Sequence, residues 1–331
     1  MIKKEKILVI GAGAWGTAIA NLVAKNSYEV FISANHQKIV DEINQKNSNQ
    51  IFLPKVSLSD NITAINAFDV EIKKCDLVFI ATPSNSVESI LRKIASLKIG
   101  LNTGFIICSK GLDHQKLKFF SEIFSEILPL NKLAILSGPN FALEVATSSP
   151  TITSIASINK VFAQKVIKIL NNDYFSAQYS SDPITVEICG VMKNIIAIGC
   201  GLIDGLNLGQ NAKAGLVNQG IVEILLLCKK MKGKGDLANP AGFGDIFLTC
   251  ASTKSRNNAL GFAIAQKQSY AEIQKESKKT FEGAAAAVSV VKLAKKLKLR
   301  LILCETINQI LDSKLSEKQI KNLIIKAIFQ K

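Results

Sequence analysis

The sequence predicts an α/β protein in which a doubly wound parallel sheet (residues 1–182) precedes an all-helical C-terminal domain (residues 183–331). Three observations carry this. The segment KILVI (6–10) is a continuous apolar run that stops at glycines, as a parallel strand buried on both faces does. Short apolar runs then alternate with amphipathic stretches, the pattern of strand–helix–strand units joined by right-handed crossovers. After residue 182 the alternation ends and helical periodicity dominates.

Taken in order, Ala14–Lys25 reads as a helix with Ala18, Ile19, Leu22 and Val23 on one face. Tyr28–Ser33 is a second strand and Gln37–Gln45 a second helix. Strand Leu77–Ala81, helix Ser86–Ile94, strand Phe105–Cys108, helix Lys116–Leu128 and strand Leu133–Leu136 continue the alternation. TITSIAS (151–157) and YFSAQYS (174–180), placed around a helix, extend the sheet. In the second domain, Gly201–Gly209, Gly233–Gly235 and Gly242–Gly244 read as breaks between helices. Open sheets of this kind bind ligands beyond the carboxyl ends of their strands, at the switch point. Catalytic groups are therefore expected on the loops after the strands and on the helical domain that closes over them.

Composition narrows the function classes. A chain of 331 residues with 48% hydrophobic and 20% charged residues fills about two domains and buries a sizeable core. The net charge of +15 suits polyanions, membrane surfaces or anionic small molecules alike. Its densest run, KLAKKLKLR, sets Lys292, Lys295, Lys296, Lys298 and Arg300 beside Leu293, Ala294, Leu297 and Leu299, which reads as an amphipathic helix with a solvated basic face. Without aromatic residues interleaved among basic ones, no nucleic-acid partner is expected. The seven cysteines, Cys75, Cys108, Cys189, Cys200, Cys228, Cys250 and Cys304, form no C-x-x-C pair and sit in or beside apolar runs. They read as buried free thiols of a reducing cytosol. His36 and His114 lack an H-E-x-x-H context, so no metal site is expected. The apolar stretch after MIKKEK is too short for a signal peptide, and no uninterrupted apolar segment approaches the roughly 20 residues of a bilayer span. The expectation is a soluble, cytoplasmic protein with no integral membrane segment.

ILVIGAGAWG places Gly11, Gly13 and Gly16 as G-x-G-x-x-G between a strand and a helix. The first glycine permits the tight turn, the second lets backbone approach a pyrophosphate, and the third lets helix pack on strand. The helix start offers free N–H groups and the positive end of its dipole to phosphate. This context makes the sheet a Rossmann-type dinucleotide-binding domain. The end of the second strand, FISANHQK, carries Ser33, Asn35, His36 and Lys38 where an Asp or Glu would exclude a 2′-phosphate. NADP and NAD both remain cofactors for this loop.

GAGAWGTAIA, ATPSNS, SKGLD, SGPNFALE, VMKNIIAIGCGLIDGLNLGQNAKAG, AGFGDIFLTC and SRN occur in this order and span nearly the whole chain. Together they resemble bacterial NAD(P)-dependent glycerol-3-phosphate dehydrogenase, with K-N-x-x-A-I-G-x-G and G-x-N-x-x-A its most specific motifs. The resemblance implies reduction of dihydroxyacetone phosphate to sn-glycerol 3-phosphate, the backbone precursor of glycerophospholipids. It implies that Lys193 is the catalytic acid–base. A cationic donor suits a ketone whose oxygen gains negative charge, and in the reverse direction a neutral amine takes the hydroxyl proton. Asp245 matches the substrate-site aspartate and would orient that ammonium. Lys110 matches a lysine touching both cofactor and substrate. Gly138 and Asn140 match substrate contacts, although the family more often has Ser or Thr at the latter. Ser255, Arg256 and Asn257 match contacts to the substrate phosphate, Arg256 also lying near the cofactor. Ala14, Trp15, Ala142, Thr280 and Glu282 match cofactor contacts, with Ala14 replacing a common Ser and Thr280 a common Val. Ser33 and Asn35 replace a Trp and an Arg, so Asn35 and His36 are the least transferable cofactor contacts. The implied partner is a phosphorylated small molecule, and a homodimer is one assembly compatible with the resemblance.

Two other classes compete. A β-hydroxyacid dehydrogenase or ketopantoate reductase shares the architecture, but it is not expected to combine SRN with G-x-N-x-x-A. A nucleotide-sensing module would keep the glycine loop without catalysis, a reading opposed by the joint presence of Lys193, Lys110, Asp245 and Arg256.

Overall fold

The computed structural model describes residues 5–252, 255–266, 269–277 and 281–330. The chain forms two compact units, Met1–Lys110 with Phe119–Pro183, and Gly111–Lys118 with Ile184–Lys331.

The first unit is built on β1 (Lys6–Ile10), α1 (Ala14–Lys25), β2 (Glu29–Ser33), α2 (Gln37–Lys46), β3 (Ile62–Ile65), β4 (Leu77–Ile80), α3 (Val87–Ser96), β5 (Gly104–Ile107), α4 (Phe120–Ile127), β6 (Lys132–Ser137), α5 (Ala142–Ala146), β7 (Thr151–Ala156), α6 (Lys160–Leu170) and β8 (Phe175–Ser180). The sheet order is β3-β2-β1-β4-β5-β6-β7-β8. β1 pairs in parallel with β2 on one side and β4 on the other, Ile7 lying opposite Val30 and Leu77. The chain direction across the sheet reverses there, so the carboxyl end of β1 is the switch point. Ile7, Leu8 and Val9 are fully buried, because helices cover both faces of the strand. The core of this unit joins β1, β2 and β4 to α1, α2 and α6 through residues such as Ile19, Ile32, Ile39, Phe79 and Val166.

Three features depart from the sequence expectation. The edge strand β3 was not anticipated, since only Ile62 and Ala64 of its four residues are buried and the apolar signal is short. Helix α4 starts at Phe120 rather than Lys116: Asp113 Oδ1 accepts the N–H groups of Gln115 and Lys116, and Leu117 has φ +54°. Glu122 then reaches back to the Phe119 N–H at 2.8 Å and closes the helix start. The sheet is also not parallel throughout, for β7 runs antiparallel to β6 before β8 resumes parallel pairing. The connection 138–150 contains only the five-residue α5, so the chain re-enters the sheet from the end it left.

The second unit comprises α7 (Pro183–Gly205), α8 (Gln210–Lys230), α9 (Asp245–Ala251), α10 (Arg256–Ala265), α11 (Tyr270–Ser277), α12 (Glu282–Leu297), α13 (Ile302–Asp312) and α14 (Glu317–Phe329). Helix α7 has the length and mean hydropathy (1.7) of a membrane-crossing helix, but Glu187 and Lys193 interrupt its apolar run, as expected of a chain without an uninterrupted apolar span, and the stretch is wholly buried. It runs unbroken through Gly199 and Gly201 and ends at Gly205, so the break expected over Gly201–Gly209 falls in the second half of that range, before α8 starts at Gln210. A Cβ on Gly201 would overlap the Asn258 carbonyl, and one on Gly261 the Ile198 carbonyl. Each helix thus offers a glycine to the backbone of the other, and close approach, not helix termination, accounts for these glycines.

Candidate active site

The loop between β1 and α1 is shaped by contacts that side chains would prevent. Gly11 has φ +110°, donates its N–H to Ser33 O at 3.1 Å, and leaves 2.6 Å between an added Cβ and Ala81 O. A Cβ on Gly16 would overlap the Gly11 carbonyl. Gly13, the N-cap of α1, is extended, and a Cβ there would meet no atom within 4 Å. Among the described residues no side chain caps α1 and no acidic residue occupies its first turn, so the dipole at this helix start favours anions. Ala14 and Trp15 pack half-buried against the core at this helix start. Thr82 Oγ1 and Ser137 Oγ, at the carboxyl ends of β4 and β6, are buried with no hydrogen-bond partner among the described residues, as polar atoms facing a ligand site would be. Beyond β2, Ser33 and Ala34 are buried, whereas Asn35, His36 and Lys38 are exposed. His36 is the N-cap of α2, whose first turn carries no carboxylate. A dinucleotide fits this cradle, and no acidic residue of α2's first turn opposes a 2′-phosphate.

Past the end of β5, Ser109 Oγ donates to Thr82 O at 2.6 Å and Lys110 Nζ donates to Gly138 O at 3.1 Å. Two predicted site residues therefore meet here. Cys108 precedes them, its thiol pushed well above the ordinary range by burial and partly restrained by Lys110. Asn140 spends both ends of its amide on β7: Nδ2 donates to Ile152 O at 3.0 Å, and Oδ1 accepts from Thr153 Oγ1 at 2.9 Å. Ala142 opens α5 and packs partly buried against the core.

In the helical unit, Lys193 on α7 and Asp245 at the start of α9 form a buried pair with Nζ to Oδ1 at 2.5 Å. Lys193 is 8% exposed and Asp245 1%. Each charge offsets the desolvation of the other, and the carboxylate fixes the direction of the ammonium. Thr249, one turn after Asp245, donates its hydroxyl to Asp245 O at 2.6 Å and lies 3.5 Å from Oδ1. Sequence reasoning missed it, although its i+4 spacing on the AGFGD helix was the available signal. The turn before α9, Pro240–Gly244, is held by Gly242 N–H donating to Asn239 Oδ1 at 3.0 Å. Exposed Phe243 and Phe247 stack at 6.2 Å on either side of Asp245 in the sequence. Behind the pair, the hydrogen bond with the Cys200 thiol and burial hold Cys250 protonated.

Ser255 is the N-cap of α10, its Oγ accepting the Asn258 N–H at 3.3 Å. Arg256 follows as the exposed first residue of that helix. Asn257 is buried, and its Oδ1 accepts the Gly283 N–H at 3.1 Å, which ties α10 to the first turn of α12. Glu282 is exposed in that turn, and Thr280 lies outside the described residues. A cleft of about 440 Å³ elsewhere in this unit, among Ile264, Tyr270, Ile310, Lys314, Leu315 and Ile320, is lined by none of the predicted site residues. Among the described residues no group of three or more His, Cys, Asp or Glu side chains could hold a metal ion.

Chemically, the first unit offers a phosphate cradle and a lysine at a strand end. The second offers a buried, directed ammonium and an exposed guanidinium at a helix start. Comparison with known proteins gives the same frame. Residues 6–163 match the family described as NAD-dependent glycerol-3-phosphate dehydrogenase N-terminus, and residues 182–322 match its C-terminus counterpart. The chain is 36% identical over 312 residues to glycerol-3-phosphate dehydrogenase [NAD(P)+] of Citrifermentans bemidjiense, covering 93% of this chain and 92% of that one. Its counterpart from Maricaulis maris is 33% identical over 318 residues, covering 96% and 95%. The crystal structure of glycerol-3-phosphate dehydrogenase from Coxiella burnetii superposes with a TM-score of 0.91 at 31% identity, covering 98% of this chain and 99% of that one.

Proposed function

We propose a reaction from one premise: the chain belongs to the NAD-dependent glycerol-3-phosphate dehydrogenase family. It reduces dihydroxyacetone phosphate to sn-glycerol 3-phosphate with NAD(P)H, and the product supplies the glycerophospholipid backbone. When bound, the reduced nicotinamide supplies a hydride to the ketone carbon. Lys193 donates the proton to the carbonyl oxygen as that oxygen becomes an alkoxide, and its charge stabilises the oxygen beforehand. Asp245 keeps the ammonium directed and balances its charge within the buried site. Arg256, with Ser255 and Asn257 beside it, grips the substrate phosphate with two-pronged guanidinium geometry. Lys110, Gly138 and Asn140 contribute further substrate contacts. Gly11, Gly13, Ala14, Trp15 and Gly16 receive the pyrophosphate end of the cofactor. Asn35 and His36 face the adenosine ribose, and Lys110, Ala142, Arg256, Thr280 and Glu282 complete the cofactor contacts.

The observation that carries this reading is the buried Lys193–Asp245 pair, a charged donor held where an apolar helix would otherwise exclude it. The test is dihydroxyacetone phosphate reduction, followed by loss of absorbance separately with NADPH and NADH. A β-keto acid or 2-dehydropantoate serves as the rival substrate. Preference for a rival substrate overturns the proposal, and absence of any turnover supports a nucleotide-sensing role instead. We further propose a cytoplasmic location and a homodimer, the dimer checked by light scattering at micromolar concentration.

A further inference from the structure

We propose that Asn49 is a positioning residue for the dinucleotide loop, acting through the Ala12 carbonyl. This rests on the cofactor reading given above. Asn49 lies in the segment between α2 and β3 and is fully buried. Its Nδ2 donates to Ala12 O at 3.0 Å and to Thr17 Oγ1 at 2.9 Å, and Thr17 Oγ1 itself donates to Ala12 O at 3.3 Å. Two side-chain donors therefore converge on one carbonyl inside G-x-G-x-x-G. The amide orientation follows from chemistry, since only the NH2 end can face a carbonyl oxygen. The opposite end, Oδ1, is buried and accepts no hydrogen bond among the described residues, so the polar contacts of this side chain are those its NH2 makes with the loop.

The consequence comes from peptide geometry. Ala12–Gly13 is a trans peptide, in which the carbonyl and the following N–H point to opposite sides. Fixing the Ala12 carbonyl toward Asn49 and Thr17 turns the Gly13 N–H the other way. Gly13 is the one glycine of the motif whose added Cβ would meet no atom within 4 Å, so a phosphate has room to approach this residue's backbone. Asn49 is itself fixed. Its carbonyl accepts the N–H groups of Phe52 at 3.2 Å and Leu53 at 2.8 Å, and Leu53 is buried in the core of the unit. A segment far from the glycine motif in sequence thus sets the direction of the donor that meets the cofactor.

Trp15, the only tryptophan of the chain, sits at this helix start and reports binding by fluorescence titration with NADPH and NADH. Asn49→Asp keeps the shape and removes both donors. It should raise the cofactor dissociation constant about tenfold, equivalent to ~1.4 kcal/mol and to the net worth of one or two neutral hydrogen bonds. Turnover at saturating cofactor should stay unchanged. Leu53→Ala, which loosens the same segment without touching Ala12, should lower the melting temperature and leave cofactor affinity intact. Should Asn49→Asp fail to fold, Thr17→Val removes the second donor and should weaken cofactor binding in the same direction. A wild-type protein that binds neither dinucleotide overturns the cofactor reading and this inference with it. A wild type that binds, beside an Asn49→Asp (or a Thr17→Val standing in for it) that binds equally well, overturns this inference alone. So does a Leu53→Ala that loses as much affinity as Asn49→Asp.

Discussion

Lys193 Nζ lies 2.5 Å from Asp245 Oδ1, although the two residues are 52 positions apart in the sequence and almost wholly removed from solvent. A pair like this is asymmetric in its effects. Together the charges are tolerated, while either one alone is a buried ion without a partner. Lys193→Ala is expected to leave cofactor affinity intact and to lower turnover about 10²–10⁴-fold, the usual worth of general acid–base help. Asp245→Asn should in addition destabilise the fold, by about 3–5 kcal/mol in a denaturant titration, because the ammonium stays buried without its counter-charge. Near-normal turnover in Lys193→Ala removes that residue from the role of proton donor.

Gly13 and Gly16 should fail differently. Gly13→Val places its side chain in open space on an extended backbone, so the protein should fold with an ordinary melting temperature and lose cofactor binding. In Gly16→Ala the new methyl would strike the Gly11 carbonyl, so stability itself should drop. Unchanged cofactor titration in a folded Gly13→Val contradicts the phosphate cradle.

Arg256 tests substrate class. Arg256→Ala should raise the KM for dihydroxyacetone phosphate on the order of 10–100-fold, as expected for losing a charge-assisted bond worth roughly 1.5–3 kcal/mol. Turnover should fall as well, because remote phosphate binding helps hold the carbonyl in place. Arg256→Lys should recover only part of the loss, having charge without the planar fork. Unphosphorylated dihydroxyacetone should be a poor substrate and be affected much less. Equal losses on both ketones, with cofactor binding unchanged, show that Arg256 is not the phosphate anchor.

Glu223 gives stability a pH dependence. It is fully buried, and its carboxylate accepts the N–H of Leu303 at 2.5 Å and of Cys304 at 3.1 Å, closing the start of α13. Burial pushes its pKa above the ordinary 4.5, against the pull of those backbone donors. The folded state therefore holds this proton to higher pH than the unfolded chain does. The contribution of Glu223 to stability is present below 4.5 and declines as pH rises through the elevated value. Glu223→Gln should remove that slope, seen as melting curves that diverge from wild type as pH rises above 4.5. Parallel curves across that range contradict the shift.

Much of the fold was legible from local pattern. Helix α1 is bounded as its periodicity predicts, and β1 as its apolar run predicts, because a strand covered on both faces leaves no polar position to confuse the reading. The edge strand β3 was not legible, since half of its side chains face away from the core. The break after α7 was expected to start too early, at Gly201, because a single helix does not announce that another backbone, that of α10, will touch it there.

The sequence by itself determined the residue types and their order: the glycine loop, Lys193 within an apolar run, Asp245 just after Gly242 and Gly244, and Arg256 after Ser255. Those are properties of spacing along the chain, and local periodicity and motif chemistry read them. Only the tertiary structure decided which of these groups face one another. It brought Lys193 onto Asp245 with Thr249 behind, committed the Asn140 amide to β7, and set Asn49 on the Ala12 carbonyl. The physical reason is that hydrogen bonds and ion pairs act over about 3 Å, a distance that chain order does not encode for residues tens of positions apart.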